Sequence, residues 1–220
     1  MNGHIFLALI ILAALVRAGV SALRAGSGER RSRRILRVIA VLFMVYGGLG
    51  FLAQWLSAAG GLSFLPSWFE WPLGSVSGVV RDKSGRYIAP HTHTGRIQVY
   101  DRDKKFVRGW TIDAGGGTFK LHMTEDDLIE VFTARGDRHY VFRHDGTLVR
   151  DGTYSPRSYS DLAPESQLTV RFNTPFILLP FSHPVAGWEL GVLGVIGLIV
   201  LRLTKKKKDR TATESNATSG

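Results

Sequence analysis

Three long apolar runs constrain this chain more than any other feature of its sequence. They span residues 5–23, 38–56 and 185–201, and only the first and third contain a charged residue, one in each. A helix of about 20 apolar residues is long enough to cross the hydrocarbon core of a bilayer. The sequence therefore predicts an integral membrane protein with three transmembrane helices, the third extending to residue 203.

The first run has two interpretations, a retained helix or a cleaved signal peptide. Its uncharged part, residues 5–16, has the length of a signal-peptide apolar region. A signal peptide carries positive charge before that region, whereas here the arginines follow it. We therefore expect a retained helix, with the Arg17 side chain reaching toward the nearer membrane surface.

The net charge of +10 is concentrated beside the helices. Residues 24–37 carry six arginines and one glutamate, and the tail, 204–220, carries five basic and two acidic residues. Basic loops stay in the cytoplasm. We expect a protein of the plasma or inner membrane, with its N-terminus and residues 57–184 outside and its C-terminus in the cytoplasm. Residues 38–201 contain equal numbers of acidic and basic side chains, so no basic footprint for nucleic acid is present.

Between the second and third helices, the sequence alternates between apolar and polar residues as β-strands do. Residues 75–173 are the predicted extracytoplasmic domain, and turn residues interrupt them at short intervals. The predicted fold class is a membrane-anchored all-β protein, with one antiparallel β-meander or sandwich-like domain. The predicted strands are 76–81, 86–88, 95–100, 106–113, 118–122, 128–133, 139–143, 147–149 and 167–172.

Two aromatic segments, residues 57–74 and 174–184, flank this domain and are too short to cross a membrane. One interpretation places them in the membrane interface, where tryptophan is enriched. The other makes them part of the core of the β-domain. The tail is basic at first and, from Thr211, small and polar, so we predict it to be disordered.

Three hairpins share a pattern of an apolar pair, an acidic turn and a second apolar pair, at residues 79–88, 99–107 and 142–149. Residues 95–112, GRIQVYDRDKKFVRGWTI, resemble one blade segment of an NHL-type β-propeller, and residues 128–149 resemble a degenerate second copy. A propeller contains about 4–8 blades, and this domain has room for about two. The resemblance implies a local hairpin pattern and no active site.

His91 and His93 are the candidate metal ligands. On an extended strand, side chains two residues apart face the same side, and two imidazoles there suit Zn²⁺ or Cu²⁺. A third ligand would come from His122, His139 or His144. The alternative, which we favour, is that both are polar loop residues, so no metal or other cofactor is predicted. The chain contains no cysteine, which excludes disulfides and thiolate ligands.

Glycines line one face of the third helix at spacings of four, three and three. Small residues allow helices to approach closely in lipid. The face could pack against the second helix of the same chain, which we favour slightly, or against a partner's helix. The glycines are Gly187, Gly191, Gly194 and Gly197 in the third helix, and Gly47, Gly48 and Gly50 at the matching depth of the second.

No catalytic signature is present in the sequence. Residues 113–117 are glycine-rich, but no helix and no Lys-Ser/Thr pair follows them, so they are predicted to be a hairpin loop rather than a phosphate loop. We expect a non-enzymatic accessory or assembly subunit of a larger membrane complex. Its partners would be membrane lipid and a membrane protein, contacted through the third helix and the β-domain. The alternatives are an autonomous membrane-anchored module that binds a ligand or protein, and a metal-dependent extracytoplasmic enzyme.

Overall fold

The computed structural model describes residues 3–24, 30–155, 159–160 and 168–217. Its long helices are α1 (Gly3–Arg24), α2 (Arg31–Ala58) and α4 (Pro184–Ala217), and a short helix, α3 (Leu179–Ser182), precedes α4. In the described part of the chain, three helices are long and apolar enough to cross a membrane. The prediction of three such helices from the apolar runs is therefore confirmed.

The ends of two helices differ from the prediction. Helix α2 begins at Arg31 rather than at residue 38, so half of the arginine-rich segment is helical. Helix α4 continues to Ala217, through the segment predicted to be a disordered tail. Neither extension contains glycine or proline, and each continues an existing helix. Adding residues to a formed helix avoids the cost of nucleation, which explains why the polar extensions remain helical.

The described residues between 75 and 171 form nine strands in two antiparallel sheets. The five-stranded sheet has the order β4-β3-β2-β1-β9, and the four-stranded sheet has the order β5-β6-β7-β8. Each predicted strand overlaps an observed one. The strands are β1 (Ser75–Arg81), β2 (Tyr87–His91), β3 (Arg96–Tyr100), β4 (Phe106–Thr111), β5 (Phe119–Met123), β6 (Ile129–Thr133), β7 (Arg138–Phe142), β8 (Leu148–Thr153) and β9 (Leu168–Arg171).

The main core lies between the two sheets. Side chains from both sheets are buried there, including Ile88, Ile97 and Val99 from the first and Leu121 and Val131 from the second. Strands β2 and β3 are buried along their whole length. These central strands are therefore covered on both faces, while the opposite face of the four-stranded sheet carries partly exposed side chains.

Four hairpin turns share one backbone geometry. In each, the N–H of the first turn residue donates to the carbonyl four residues later, and the fourth residue has a positive φ. This is a three-residue loop that ends in a left-handed residue. The repeated pattern of the sequence is thus a repeated turn. The first and fourth residues are Asp82 and Gly85, Asp101 and Lys104, Thr124 and Asp127, and Arg143 and Gly146.

The aromatic segment after α2 covers the free face of the five-stranded sheet. The guanidinium of Arg96 donates to the carbonyls of Pro66 and Phe69, at 2.9 and 2.8 Å. The Gln98 side chain accepts from the N–H of Trp71 at 2.6 Å and donates to its carbonyl at 2.9 Å. Arg96 and Gln98 are fully buried, so the strand supplies polar partners for an irregular segment.

The two interpretations of the flanking segments apply to different residues. Trp71 and Leu73 are each only 4% exposed, so they belong to the core of the domain. Phe64 and Trp68 are 75% exposed, and Phe176 is 87% exposed. Large exposed aromatic residues beside membrane-length helices are what an interfacial segment requires.

Buried and partly buried hydrogen bonds tie α2, α3, the aromatic segment and the β-domain together. The Gln54 side chain in α2 donates to the carbonyl of Phe181 at 2.6 Å, and the indole of Trp71 donates to the same carbonyl at 2.7 Å. The Ser57 hydroxyl donates to the carbonyl of Thr94 at 3.1 Å. These contacts come from α2, the aromatic segment and the domain itself, so the domain has a defined position relative to α2.

Candidate functional site

Two adjoining clefts of about 460 and 650 Å³ surround the C-terminal end of α2, where the helix meets the β-domain. Together they form one concave region, which we call the junction trough. Its large aromatic residues, Phe51 and Trp55, come from α2, and its charged residues, Asp113 and Arg135, come from the domain. The residues that line both clefts are Trp55, Ala58, Thr92, Gly116, Gly117 and Arg135.

One face of α2 forms the helical wall of the trough. Phe51, Gln54, Trp55 and Ala58 are spaced by three, one and three residues, so they lie on the same side of the helix. Gln54 is 1% exposed. Its Oε1 atom is buried without a hydrogen-bond donor among the described residues, whereas its Nε2 atom donates to a carbonyl. The helical wall therefore contains one buried acceptor that no described residue satisfies.

The glycine-rich loop forms the opposite wall. It connects β4 of one sheet with β5 of the other, so the prediction of a hairpin loop at residues 113–117 is wrong. Gly115 and Gly116 have φ values of +58° and +68°, and a Cβ on Gly117 would lie 2.8 Å from Cγ of Arg135. Glycine is required here because the loop turns left-handed and packs around an arginine side chain.

The guanidinium of Arg135 is the cationic group of the trough. Its Nη1 atom donates to the carbonyls of Gly115 and Gly116 at 3.5 and 3.4 Å. These bonds are long and the side chain is exposed, so the guanidinium keeps donors for another acceptor. Asp113 also lines the larger cleft, and its carboxylate accepts from the N–H of Gly115 at 3.0 Å.

His91 is a structural residue of the junction. Its Nε2 atom lies 3.0 Å from the carbonyl of Ser182, and its Nδ1 atom lies 2.6 Å from the hydroxyl of Thr94. A carbonyl only accepts, so Nε2 carries the proton and Nδ1 is the acceptor. Burial is the main cause that lowers the pKa of His91 to about 4; the bond to Ser182 opposes this shift, and the nearby His93 and His183 add to it. The ring is therefore neutral.

The proposed pairing of His91 and His93 as metal ligands does not match the geometry. Residues Thr92–Thr94 form a 3₁₀ helix rather than an extended strand, and the rings of His91 and His93 meet edge to face with their centroids 6.0 Å apart. Both ring nitrogens of His91 already have partners. His93 instead lies against His183, with ring centroids 4.5 Å apart. Burial lowers the pKa of His93, and the proximity of His183 adds to this effect.

His183 was not among the residues that sequence reasoning selected. It lies just before α4, and its Nδ1 atom accepts from the N–H of Val185 at 3.2 Å. It is 90 positions from His93 in the chain, and only the folding of α4 against α2 brings the two together. The His-Pro pair before the third helix is the one local signal that could have drawn attention to it.

The other predicted third ligands have separate partners. His122 and His139 each lie beside Glu130 on the four-stranded sheet, at 3.1 and 3.2 Å. His144 lies 3.1 Å from Asp127 and 3.5 Å from Asp82. These histidines therefore belong to two polar clusters of the sheets rather than to the His91 region.

Asp82, Asp127 and His144 have potential ligand atoms that all lie within 4.8 Å of one another. Arg86 Nε, however, is 2.6 Å from Asp82 Oδ2, the oxygen nearest His144. Burial raises the pKa of Asp82, but hydrogen bonds from Arg86 and Ser84 outweigh burial and leave it below its usual value. An arginine in this position balances the carboxylate charge, so the cluster is an ion-paired contact between hairpin turns.

The predicted glycine face lies between α2 and α4. A Cβ on Gly47 would come within 2.6 Å of the Gly187 carbonyl, and one on Gly194 within 2.5 Å of the Ala40 carbonyl. Elsewhere on this face, a Cβ on Gly187 would meet Phe51, one on Gly191 would meet Gly48, and one on Gly197 would meet Ala40. Gly50 instead faces Pro180 of α3, and Gly48 faces Leu15 of α1.

Comparison with known proteins adds little to this description. No protein-family model matches the chain, and no curated protein matches it. Among solved structures, it is similar to a protein of unknown function from Bacteroides caccae, with 13% sequence identity and a TM-score of 0.30. The alignment covers 34% of this chain and 27% of that chain. A likeness at this level carries no argument about fold or function.

Proposed function

We propose that this is a non-enzymatic, membrane-anchored binding protein whose ligand occupies the junction trough. The observation that carries the proposal is the trough itself, a concave region that combines an aromatic wall with convergent polar groups. Such a combination is typical of ligand sites. We further propose that the β-domain and the trough lie on the non-cytoplasmic side, because both basic segments lie beside the opposite ends of the helices.

The lining of the trough suggests the chemistry of the ligand. Arg135 supplies a cation, and hydroxyl groups are available from Ser63, Thr111 and Thr118. These groups suit a ligand with phosphate, carboxylate or hydroxyl oxygens. Phe51 forms an apolar wall that continues along α2, a helix of membrane length. An amphipathic molecule that enters from the membrane would satisfy both parts of the trough.

The packing of the glycines also favours this function over assembly through the third helix. The glycine face of α4 is used in close contact with α2 of the same chain. It therefore offers little backbone surface for a partner's helix. The hydrogen bond from Ser57 of α2 to the carbonyl of Thr94 in the β-domain helps to hold the two walls of the trough at a defined separation, which lowers the cost of ordering them when a ligand binds.

Native mass spectrometry of the gently extracted full chain tests this proposal. We expect a copurifying small-molecule adduct with the wild-type protein. The adduct should be lost with Arg135→Gln, which removes the cation, and with Ala58→Phe, which fills the space shared by both clefts. Arg143→Gln is the matched control, because Arg143 is also an exposed arginine but lies at the other end of β7. No adduct on the wild type, or equal loss in all three variants, would contradict the proposal.

A second candidate, an accessory subunit of a membrane complex, is favoured by strand β8. This strand is at the edge of the four-stranded sheet, and Leu148 and Val149 are each 49% exposed. An exposed apolar edge can pair with a partner's strand. Val149→Lys should then release a copurifying protein. Val107→Lys is the control, since Val107 is 43% exposed on β4 at the edge of the other sheet.

A further inference from the structure

The junction trough carries two opposite charges at different positions along its length. The smaller cleft extends along α2 to Phe51 and to Pro184, the first residue of α4. The larger cleft surrounds the end of α2 and is lined by Asp113. Arg135 lines both clefts. The trough therefore presents, in this order, an apolar wall, a cation and an anion.

Arg135 and Asp113 are held beside the same glycine. The Nη1 atom of Arg135 donates to the carbonyl of Gly115 at 3.5 Å, and the Oδ1 atom of Asp113 accepts from the N–H of Gly115 at 3.0 Å. Between these two side chains, both in the described part of the chain, there is no ion pair. Two opposite charges that lie near each other without pairing are complementary to a ligand that carries both signs.

Each charged group keeps capacity for a ligand atom. The N–H of Gly115 occupies one oxygen of Asp113, and an ionised carboxylate offers two oxygens with about four acceptor positions. A guanidinium has five N–H donors, and the bonds from Arg135 to the carbonyls of Gly115 and Gly116 come from one nitrogen. Both charged side chains are exposed, so a ligand in the trough can reach them.

The lining of the larger cleft suits a primary ammonium group. Besides Asp113, this cleft is lined by the hydroxyl residues Ser63 and Thr111. A primary ammonium has three N–H donors and no acceptor, so carboxylate and hydroxyl oxygens are the partners that it requires. A quaternary ammonium has no N–H to donate. A second anionic group would be repelled by the Asp113 carboxylate.

We propose, building on the function proposed for the trough, that its ligand is a phospholipid whose headgroup carries a primary ammonium. The ammonium would lie at Asp113, the phosphate at Arg135 and an acyl chain along Phe51. This is the order in which the covalent structure of such a lipid joins the three groups. Phe51 precedes Ala58 by seven residues, or about 10 Å along α2, so the chain would leave the headgroup along a helix of membrane length. Free phosphoethanolamine would leave this apolar wall uncovered.

Reconstitution of the full chain in phosphatidylcholine, with equal minor fractions of phosphatidylethanolamine and phosphatidylglycerol, tests the proposal. Native mass spectrometry should show that the wild type retains phosphatidylethanolamine in preference to the other two lipids. Asp113→Asn keeps an acceptor for the N–H of Gly115. It should weaken retention of phosphatidylethanolamine about fivefold, which corresponds to about 1 kcal/mol for one exposed charge pair, and should not weaken retention of phosphatidylglycerol. Arg135→Gln should weaken retention of both lipids, because both carry the phosphate.

Asp145→Asn is the matched control. Asp145 is also exposed, and its carboxylate accepts from the N–H two residues later at 2.8 Å, as that of Asp113 does, but it does not line the trough. Equal effects of Asp113→Asn and Asp145→Asn would overturn the proposal. Equal retention of phosphatidylethanolamine and phosphatidylglycerol by the wild type, or complete displacement by soluble phosphoethanolamine, would overturn it as well. If Arg135→Gln still removes the adduct in these cases, the trough is a ligand site and only the ligand class is wrong, whereas a wild type without any adduct contradicts both proposals.

Discussion

At the scale of single residues, His91 links the stability of the junction to pH. Its two ring nitrogens connect Thr94 with Ser182, and burial is the main cause that holds its pKa at about 4. A histidine in an unfolded chain has a pKa of about 6.5. Between pH 4 and pH 6.5, the folded protein therefore binds fewer protons at His91 than the unfolded chain does. The free energy of unfolding consequently rises with pH over this range.

The first prediction follows from this difference. Above about pH 6.5 the contribution of His91 to stability should be fully present. As the pH falls to about 4, it should be lost progressively, by about 3 kcal/mol in total. Chemical unfolding in detergent should show this loss, and His91→Gln, which keeps a donor and an acceptor, should reduce the slope. Equal slopes for both proteins would contradict the assignment.

The second prediction concerns Lys104, a non-glycine residue with a φ of +61° in a hairpin turn. Two of the four equivalent turns carry glycine at this position, and a side chain there is strained. Lys104→Gly should raise the free energy of unfolding by about 0.5–1 kcal/mol. Lys105 is the next residue and does not have a positive φ. Lys105→Gly should therefore lower the free energy of unfolding by a similar amount. Thermal unfolding of both variants is the measurement.

At the scale of elements, the contact between α2 and α4 depends on specific glycines rather than on a uniform small face. A Cβ on Gly47 or Gly194 would overlap backbone atoms of the facing helix. A Cβ on Gly191 would lie at least 3.5 Å from its neighbours, which is ordinary contact. The face predicted from the spacing of the glycines is therefore divided into positions that need glycine and one that does not.

The third prediction uses this division. Gly47→Ala and Gly194→Ala should each lower the stability of the helix bundle by about 1–3 kcal/mol, because backbones must separate to admit the methyl group. Gly191→Ala should be neutral or slightly stabilising, since alanine favours helix by up to about 1 kcal/mol over glycine. Unfolding of the detergent-solubilised variants compares them. Similar values for all three would mean that the two helices pack differently from this structure.

At the scale of the whole molecule, the β-domain and the arginine-rich start of α2 lie at opposite ends of one helix. Helix α2 has 28 residues, which corresponds to about 42 Å. If α2 crosses the membrane, its two ends must lie on different sides. The buried hydrogen bond from Ser57 to Thr94 then holds the domain close to the membrane surface, and the carbonyl of Phe181, which accepts from both Gln54 and Trp71, adds an indirect link.

The fourth prediction tests this arrangement by labelling, since the chain has no cysteine of its own. A cysteine at Asp103, in an exposed turn of the β-domain, should react with an impermeant reagent added to intact cells. A cysteine at Ser32, exposed at the start of α2, should react only after the membrane is opened. Labelling of both positions in intact cells would contradict the proposed orientation.

The amino-acid sequence by itself determined the elements of this protein. In the described part of the chain, three runs of apolar residues produced three long helices, and alternation produced nine strands close to their predicted positions. These signals are local, because a helix or a strand is recognised from the spacing of apolar residues within a short stretch of the chain. The pattern of an apolar pair, an acidic turn and a second apolar pair identified three of the four turns that share one geometry, and the turn at Thr124–Asp127 lay outside that pattern.

Only the tertiary structure decided which elements meet. It separated the strands into two sheets, which made the glycine-rich loop a connection between sheets instead of a hairpin. It brought His183 to His93 and placed Arg135 opposite the end of α2. These contacts join residues far apart in the chain, and they depend on how complete faces pack against each other. No local period carries that information, so the junction trough could not be predicted from the sequence.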